Sequence, residues 1–499
     1  MLQFLKILLL FAPFISFAQQ PGFKKTYRGE LTAASFMDVV WDGQKLITTG
    51  QFLTDTAPYN ALNGLLYMEL DTHGNTLFTD VYFHPNDAVA SNIGNSLAAI
   101  DGRIYAPTQM YNQTEENLLV TYQQSQRIAE KIIHVEGLRT WLLNIAPYQN
   151  AYLLSGGSQN FSYNAEGMLI KSDALGNEMW RKYYGTPDVD VYTAEPYVID
   201  NNTILLPTNR RYWPSQTMVQ DNWTQTQMLI VDSLGNVKST WESPLTKEQG
   251  PDTRVCKLAN GHWIYTTSEY IKNPGPLDKW GNRPKIVCRD TAFNLVWQRY
   301  LPNAVPLPVC YTIDLQPTSD GNFIAAGNWS ETEWSGASVI MKIAPNGDLI
   351  WTYRDYCTPL FGCNQNLGGV VELPSGSVVA AGYSENFEEN WTYGVLLKVD
   401  KNGCMDTLCS QSIGQAGNTY GLDKLAAIRA FPNPVSAFLT VTNPIGEHID
   451  LLDLNGRVIR SVMVSGETQT IPMSDIPPGA YVVRMQEKTL RVSYKIIKI

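Results

Sequence analysis

From residue 20 to residue 410 short apolar runs alternate with tight polar breaks, and the breaks are of two kinds. The first precedes an apolar run: Asp42-Gly43, Asp101-Gly102, Gln149-Asn150, Asn201-Asn202, Asn260-Gly261, Asp320-Gly321 and Ser375-Gly376. Asn260-Gly-His-Trp-Ile-Tyr265 and Asp320-Gly-Asn-Phe-Ile-Ala-Ala-Gly327 show it well, and the reading places His262 on the strand. The second lies between these: Gly74-Asn75, Ser125-Gln126, Gly176-Asn177, Gly235-Asn236, Phe293-Asn294, Asn346-Gly347 and Asn402-Gly403. A run such as Met341-Lys-Ile343 leads into it, and aromatic runs such as Trp180-Arg-Lys-Tyr183, Trp297-Gln-Arg-Tyr300 and Trp351-Thr-Tyr353 lead out. Asn, Asp and Gly tolerate the positive φ that hairpin turns need, and the flanking β-branched and aromatic runs have strand length.

The unit recurs with a period of about 50 to 60 residues, which marks a repeat architecture. Each unit reads as strand a, tight turn, strand b, long loop, strand c, tight turn, strand d. Seven such units predict an all-β fold, a seven-bladed β-propeller. Six or eight blades stay open, because the second and third units are degenerate. The seventh unit, Cys404-Met-Asp-Thr-Leu-Cys409, lacks an aromatic strand d, whereas Phe23-Lys-Lys-Thr-Tyr-Arg-Gly29 resembles Trp180-Arg-Lys-Tyr-Tyr-Gly185. The N-terminal strand is therefore expected to complete the last blade and remove an exposed edge. The a–b and c–d turns fall on one face of the disc, and the long b–c loops and blade connections on the other.

Beyond the repeats the pattern changes. Leu451, Leu452 and Leu454, then Val458 and Ile459, flank Asn455-Gly456; Gly479 precedes Tyr481-Val-Val483; Val492 to Ile499 reads as a last strand. Prolines 432, 434, 444, 472, 477 and 478 stand between the runs, where a missing N–H costs no ladder bond. Short strands at this spacing predict a small immunoglobulin-like β-sandwich. Ala430-Phe-Pro-Asn-Pro434, Leu451-Leu-Asp-Leu-Asn-Gly-Arg-Val-Ile459, Ile476-Pro-Pro-Gly-Ala-Tyr-Val-Val-Arg-Met485 and Lys495-Ile-Ile-Lys-Ile499 together resemble the type A sorting domain of type IX secretion cargo in Bacteroidetes. The body in front of it resembles propellers of delta-60/kelch-like repeat character. The resemblance implies export to the cell surface or medium and a partner in the type IX machinery, engaged through residues 428–499. Pro432, Asn433, Pro434, Gly456, Gly479, Tyr481, Lys495 and Lys498 are its motif residues.

Composition agrees. In residues 1–18 Lys6 is the only charge, Ile7 to Phe17 is apolar, and Ser16-Phe17-Ala18 supplies small residues, so a signal peptide cleaved before Gln19 is expected. No transmembrane segment is expected in the mature chain. The organisation is then signal peptide 1–18, propeller 19–410, linker 411–427 and sorting domain 428–499. A net charge of −10 argues against a nucleic-acid partner, which needs a basic surface. Of seven cysteines, Cys357 with Cys363 and Cys404 with Cys409 are close enough in sequence to close local loops. Cys256 and Cys288 fall two strands apart in one blade, beyond disulfide reach, and are read as buried thiols.

Chemistry is sparse. Five histidines are scattered, and no His-Glu-x-x-His, Gly-x-Ser-x-Gly or Walker sequence occurs. No metal site or cofactor is expected; Asp232-Ser-Leu-Gly-Asn236 and Asp400-Lys-Asn-Gly403 read as hairpin turns, not calcium loops. Asp188, Asp190 and Glu195 form an acid-rich connection, read as a solvated loop in preference to a carboxylate pair for acid–base work. The long-loop face is aromatic, and Tyr59, Tyr212, Trp213, Trp223, Trp280, Trp329, Trp334 and Trp391 are its candidate binding residues. Asn-Trp-Thr/Ser recurs at 222–224, 328–330 and 390–392, which suggests a shared loop position. The expectation is a non-catalytic binding module for glycan or protein. A polysaccharide-active enzyme and a structural surface protein without ligand are the alternatives.

Overall fold

The computed structural model describes residues 22–27, 32–54, 63–83, 88–91, 97–111, 116–134, 139–159, 165–186, 189–212, 223–246, 248–249, 254–272, 280–301, 310–332, 335–356, 363–386, 391–405, 429–442, 444, 447–453, 457–487 and 490–499. The expected signal peptide, the linker and Gly456 lie outside these.

The chain forms a seven-bladed β-propeller followed by a small β-sandwich. Blade 1 runs Thr32–Trp41, Leu46–Thr54, Asn63–Leu70 and Thr76–Tyr82 as strands a to d. Blade 2 has a divided strand a, Ala88–Ser91 and Ala98–Ile100, then Arg103–Tyr111, Asn117–Gln123 and Gln126–Ile133. Blade 3 comprises Arg139–Tyr148, Ala151–Gln159, Ala165–Asp173 and Glu178–Tyr184. Blade 4 again divides strand a, Asp190–Thr193 and Tyr197–Asp200, before Thr203–Tyr212, Trp223–Asp232 and Val237–Glu242. Blade 5 follows with Glu248–Gln249 and Cys256–Lys257, then Trp263–Lys272, Trp280–Arg289 and Leu295–Tyr300. Blade 6 is Cys310–Pro317, Phe323–Thr332, Ser335–Ile343 and Leu349–Tyr356. Blade 7 takes Cys363–Glu372, Val378–Asn386 and Trp391–Val399 from the end of the repeat, and Phe23–Tyr27 as strand d. That last pairing is antiparallel, Phe23 opposite Lys398 through Tyr27 opposite Gly394, so the ring closes as expected.

Each blade is buried on both faces, which is why its strands read as apolar runs. Neighbouring residues of one strand serve different junctions: Leu46 packs in the core between blades 7 and 1, Ile47 in the core between blades 1 and 2. Every junction has such a core. Strand-d aromatics then reach over to the next blade's c–d turn. Trp180 Nε1 donates to Ser233 O at 3.1 Å, Trp351 Nε1 to Lys401 O at 3.0 Å, and Tyr27 Oη to Gly74 O at 2.6 Å. Phe23–Tyr27 thus does for blade 7 what Trp180–Tyr184 does for blade 3.

Cys256 and Cys288 are buried and free, on either side of Ile264 in blade 5. Burial pushes their thiols up, to about 12 and about 11, so neither is a nucleophile at neutral pH. Cys404 is disulfide-bonded; Cys357 and Cys409 lie outside the described residues, and Cys363 opens strand a of blade 7. His262 belongs to the turn before strand b of blade 5, its N–H bound to Asn260 Oδ1 at 3.0 Å, and not to the strand itself. The tail has sheets Arg429–Phe431, Phe438–Thr442, Thr468–Pro472 and Val458–Met463, His448–Leu452, Gly479–Glu487, Leu490–Lys498 around its own core.

Candidate functional site

Strand a of each blade lines the central tunnel, and all seven are interrupted at one level. In blades 1, 3, 6 and 7 a bulge separates Phe36 from Asp38, Leu142 from Asn144, Thr312 from Asp314 and Leu367 from Gly369. In blades 2, 4 and 5 the strand is divided there. The registers Tyr197 opposite Leu205 and Cys256 opposite Ile264 put Glu195 and Arg254 at the same level. A bulge re-aims the side chain that follows it. The girdle thus holds Asp38, Asn144, Glu195, Arg254, Asp314 and Gly369.

Arg254 ties three blades together. Its Nε lies 2.9 Å from Glu195 Oε2 and 3.7 Å from Asp314 Oδ1. Its Nη1 donates to Gln316 Oε1 at 2.7 Å, and Asp314 Oδ2 accepts the Val370 N–H of blade 7 at 3.0 Å. Asp38 Oδ1 accepts the Val39 N–H at 2.7 Å and fills the slot over Gly369, where a Cβ would come within 2.2 Å of it. Asp38 Oδ2 is buried without a protein donor. Burial, then Asp314, push the Asp38 carboxyl well above the carboxylate range, with the Val39 N–H and Arg254 opposing. Burial also carries Glu195 up to about 7, against the pull of Arg254 and with the push of Asp314. Burial works against the Arg254 charge too, but Glu195 and Asp314 outweigh it and keep the guanidinium protonated. Side-chain exposure is 25% for Arg254 and 12% for Glu195 but 1% for Asp314, and Glu195 Oε2 is itself buried.

Nearer the long-loop face, blades 3 and 4 present an aromatic wall. Trp141 lies against Gly157, where a Cβ would sit 2.8 Å from the indole. Its ring centroid is 6.0 Å from that of Tyr192, over which the Arg211 guanidinium stacks at 5.0 Å. Outside it, Tyr212 Oη donates to Gln225 Oε1 at 3.0 Å, and Arg210 pairs with Glu242 at 3.0 Å. Blade 7 stands opposite the junction of blades 3 and 4 in a seven-membered ring, and there the wall is polar. Asn328 Nδ2 donates to Asn364 Oδ1 and Gln365 O, both at 3.1 Å, and meets Asn366 Oδ1.

The aromatic residues expected from sequence are distributed differently. Tyr59, Trp213 and Trp334 lie outside the described residues. Tyr212 ends strand b of blade 4 and Trp223, 41% exposed, starts strand c opposite it. Trp280 and Trp391 begin strand c of blades 5 and 7, whereas Trp329 lies within strand b of blade 6, opposite Ala337. Two of the Asn-Trp-Thr/Ser segments therefore share a place, with their Trp opening strand c, and the third does not. Of the acid-rich connection, Asp188 lies outside the described residues, and the stretch from Asp190 to Glu195 is not a solvated loop. Asp190 is buried in strand a of blade 4, accepting the Ala165 N–H at 2.7 Å, and Glu195 faces the tunnel. Trp141 and Tyr192 were not among the residues sequence reasoning selected, because it searched the b–c loops. The available signal was position: Asp38, Asn144, Glu195, Arg254, Asp314 and Gly369 all stand four to six places ahead of the a–b turn pair.

In the tail, Asn433 and Val435 join the last strand. Asn433 Oδ1 accepts the Ile497 N–H at 2.8 Å, and Val435 and the last strand exchange bonds of 2.7 Å (Val435 N–H to Ile497 O) and 2.9 Å (Ile499 N–H to Val435 O). Pro432 and Pro434 flank that Asn. Tyr481 Oη donates to Pro477 O at 2.9 Å; Gly479 pairs with Lys498 and Val482 with Lys495. Fold and tail together define an exported β-propeller. Residues 429–499 match the secretion system C-terminal sorting domain, and the chain is a type IX secretion cargo, delivered to the cell surface or medium. No curated protein matches the chain. Among solved structures it is similar to an alpha-L-arabinanase of Penicillium chrysogenum complexed with arabinobiose: 13% identity, 63% of this chain and 94% of that one, TM-score 0.41. An alpha-L-arabinofuranosidase of Fusarium graminearum with arabinobiose gives 12% identity, 61% and 92% coverage and TM-score 0.40. A protein of unknown function from Dyadobacter fermentans gives 11%, 76%, 99% and 0.42. At these identities and TM-scores the likenesses carry no argument about activity.

Proposed function

We propose that the mature chain, cleaved after Ala18, is a surface-delivered, non-catalytic glycan-binding propeller whose ligand enters the tunnel from the long-loop face. The reading is supported by Trp141 and Tyr192 standing together on strands a of blades 3 and 4, with Arg211 over the tyrosine, and by Asn364 and Asn366 on strand a of blade 7. A sugar ring has an apolar face that suits an aromatic surface and hydroxyls that suit amides. A second reading, a polysaccharide-active enzyme, draws on Glu195 near 7 beside Asp314. Arg254 is bound to both carboxylates, which favours binding over acid–base chemistry.

The test is a glycan and peptide array probed with the mature chain and with its Trp141→Ala variant. Glycan signals that fall at least roughly tenfold in the variant are expected, the loss of one stacked aromatic. Peptide signals alone would replace the ligand class, released sugar products would favour the enzyme, and silence would leave a structural surface protein. For export, deletion of residues 429–499 is expected to retain the propeller in the periplasm; normal secretion of that truncation would refute the role of the tail.

A further inference from the structure

One joint of the ring lacks the strand-d aromatic found at the others. In blades 1, 3, 5 and 6, Phe78, Trp180, Trp297 and Trp351 stand just past the bulge of strand d, opposite Glu69, Lys171, Cys288 and Lys342. Phe23 takes that place in blade 7, opposite Lys398. Blade 4 has Ser239 there, but its Trp241 packs on Phe293 of the next turn, with ring centroids 5.8 Å apart. Blade 2 has Ala129, opposite Thr121, and then Glu130 and Lys131. A Cβ on Gly235, Gly347 or Gly403 would strike Trp180, Trp297 or Trp351. On Gly176, in the turn that follows blade 2, it would meet Tyr152 Oη at 3.2 Å and the Lys131 stem at 3.4 Å.

The carbonyl one place past the turn aspartate is also served differently. Ser233 O and Lys401 O accept indole N–H groups, whereas Ala174 O accepts from Arg103 Nη1 at 2.9 Å and Tyr105 Oη at 3.1 Å. Beside them, on the tight-turn side, lies a cavity of about 270 Å³, and among the described residues none of strand d lines it. It reaches Tyr152 on strand b of blade 3, whose ring centroid is 4.7 Å from that of Tyr105. The corresponding cavity between blades 6 and 7, about 210 Å³, is lined by Trp351 and by no described residue of the next strand b. Tyr152 Oη is buried without a hydrogen-bond partner; Ser172 lies near it without the geometry of a bond.

We propose that the cavity between blades 2 and 3 binds one aromatic ring system carrying a hydrogen-bond donor, a phenol or an indole. The ligand class follows from the repeat: the other joints hold an aromatic ring of the chain at this place, and here the chain supplies none. Size agrees, since an apolar cavity of about 150 Å³ is enough for benzene. Tyr105 and Tyr152 offer ring faces and edges for stacked or edge-to-face packing. The Tyr152 hydroxyl adds direction, because a buried hydroxyl without a partner is costly and a phenol O–H or indole N–H would satisfy it. A free aromatic compound and the Tyr or Trp side chain of a partner share this chemistry. The site lies on the tight-turn side and does not depend on the glycan reading of the mouth.

The experiment is a ligand-observed NMR titration of the mature full chain with p-cresol and indole, and with cyclohexanol as a saturated match. Saturable binding of p-cresol or indole is expected, with cyclohexanol at least roughly tenfold weaker. Ala129→Trp, which restores the aromatic of the other blades, should fill the cavity and weaken that binding at least roughly tenfold. Gln123→Trp fills it from the rim and replaces Ala129→Trp should that variant not melt cooperatively. Trp141→Ala, at the tunnel mouth, should leave the aromatic probes unaffected. Should neither filling variant fold, the cyclohexanol contrast and Trp141→Ala decide. The peptide Gly-Gly-Trp-Gly-Gly separates the two sources: binding as tight as indole assigns the site to a partner's side chain, and weaker binding to a free compound. No binding of either aromatic probe, or cyclohexanol bound equally well, overturns the proposal. So does a folded filling variant that binds like wild type, or loss of binding in Trp141→Ala. None of these results bears on sugar binding at the mouth.

Discussion

Asp71, Asp173, Asp232, Asp290 and Asp400 each accept, on Oδ1, the N–H groups two and four residues ahead. At Asp232 and Asp400 the Oδ1 of each carboxylate is thus committed to a hairpin turn. The Asn and Gly of these turns were legible as hairpin formers, since their propensity is local. Glu195 was not. In sequence it belongs to an acid-rich stretch, and only the break in strand a, with Arg254 arriving from the next blade, turns it into the tunnel. Its folded pKa lies above the ordinary value, so the folded chain holds a proton there that the unfolded chain releases. Folded stability from this group is therefore present below the ordinary Glu range and is lost as pH rises from about 4.5 through about 7. Asp38 acts with the same sign. Chemical denaturation of wild type and Glu195→Gln between those values should show a shallower decline in the variant. An identical slope would mean that Glu195 does not titrate in this range.

Among the elements, strand d and the following c–d turn form the repeated joint of the ring. Gly347 has φ 85° and Gly321 has φ 81°, so alanine at either carries a similar backbone penalty of about 1 kcal/mol. They differ in surroundings. A Cβ at 347 would meet Trp297 at 2.6 Å, whereas one at 321 meets nothing. Gly347→Ala should therefore destabilise by roughly 1–3 kcal/mol more than Gly321→Ala, the range for overpacking, and thermal melts of both variants measure the difference. Equal melting temperatures would contradict the joint. Trp180, Trp297 and Trp351 could be recognised as inter-blade packing because they recur at one place in the repeat. Trp329 could not be separated from Trp223 by its tripeptide, since Asn328-Trp-Ser330 stands in strand b of one blade while the Trp223-Thr224 of the similar Asn-Trp-Thr opens strand c in another.

For the whole molecule, blade number and closure were legible because both rest on repetition: turn pairs recur, and Phe23–Tyr27 carries the missing strand's aromatic pattern. The tail was legible as an address because its short motifs follow one another in order after the repeats; in the structure Asn433 and Val435 join the closing strand. The tunnel mouth was not, since its walls come from blades 3 and 4 on one side and 6 and 7 on the other, separated in sequence by up to half the ring. The most direct measurement is a crystal structure of the mature chain with a bound neutral oligosaccharide. The account predicts a sugar ring against Trp141 and Tyr192 at the tunnel mouth. A sugar on the outer strands d or on the tight-turn face, with the mouth occupied only by solvent, would contradict it.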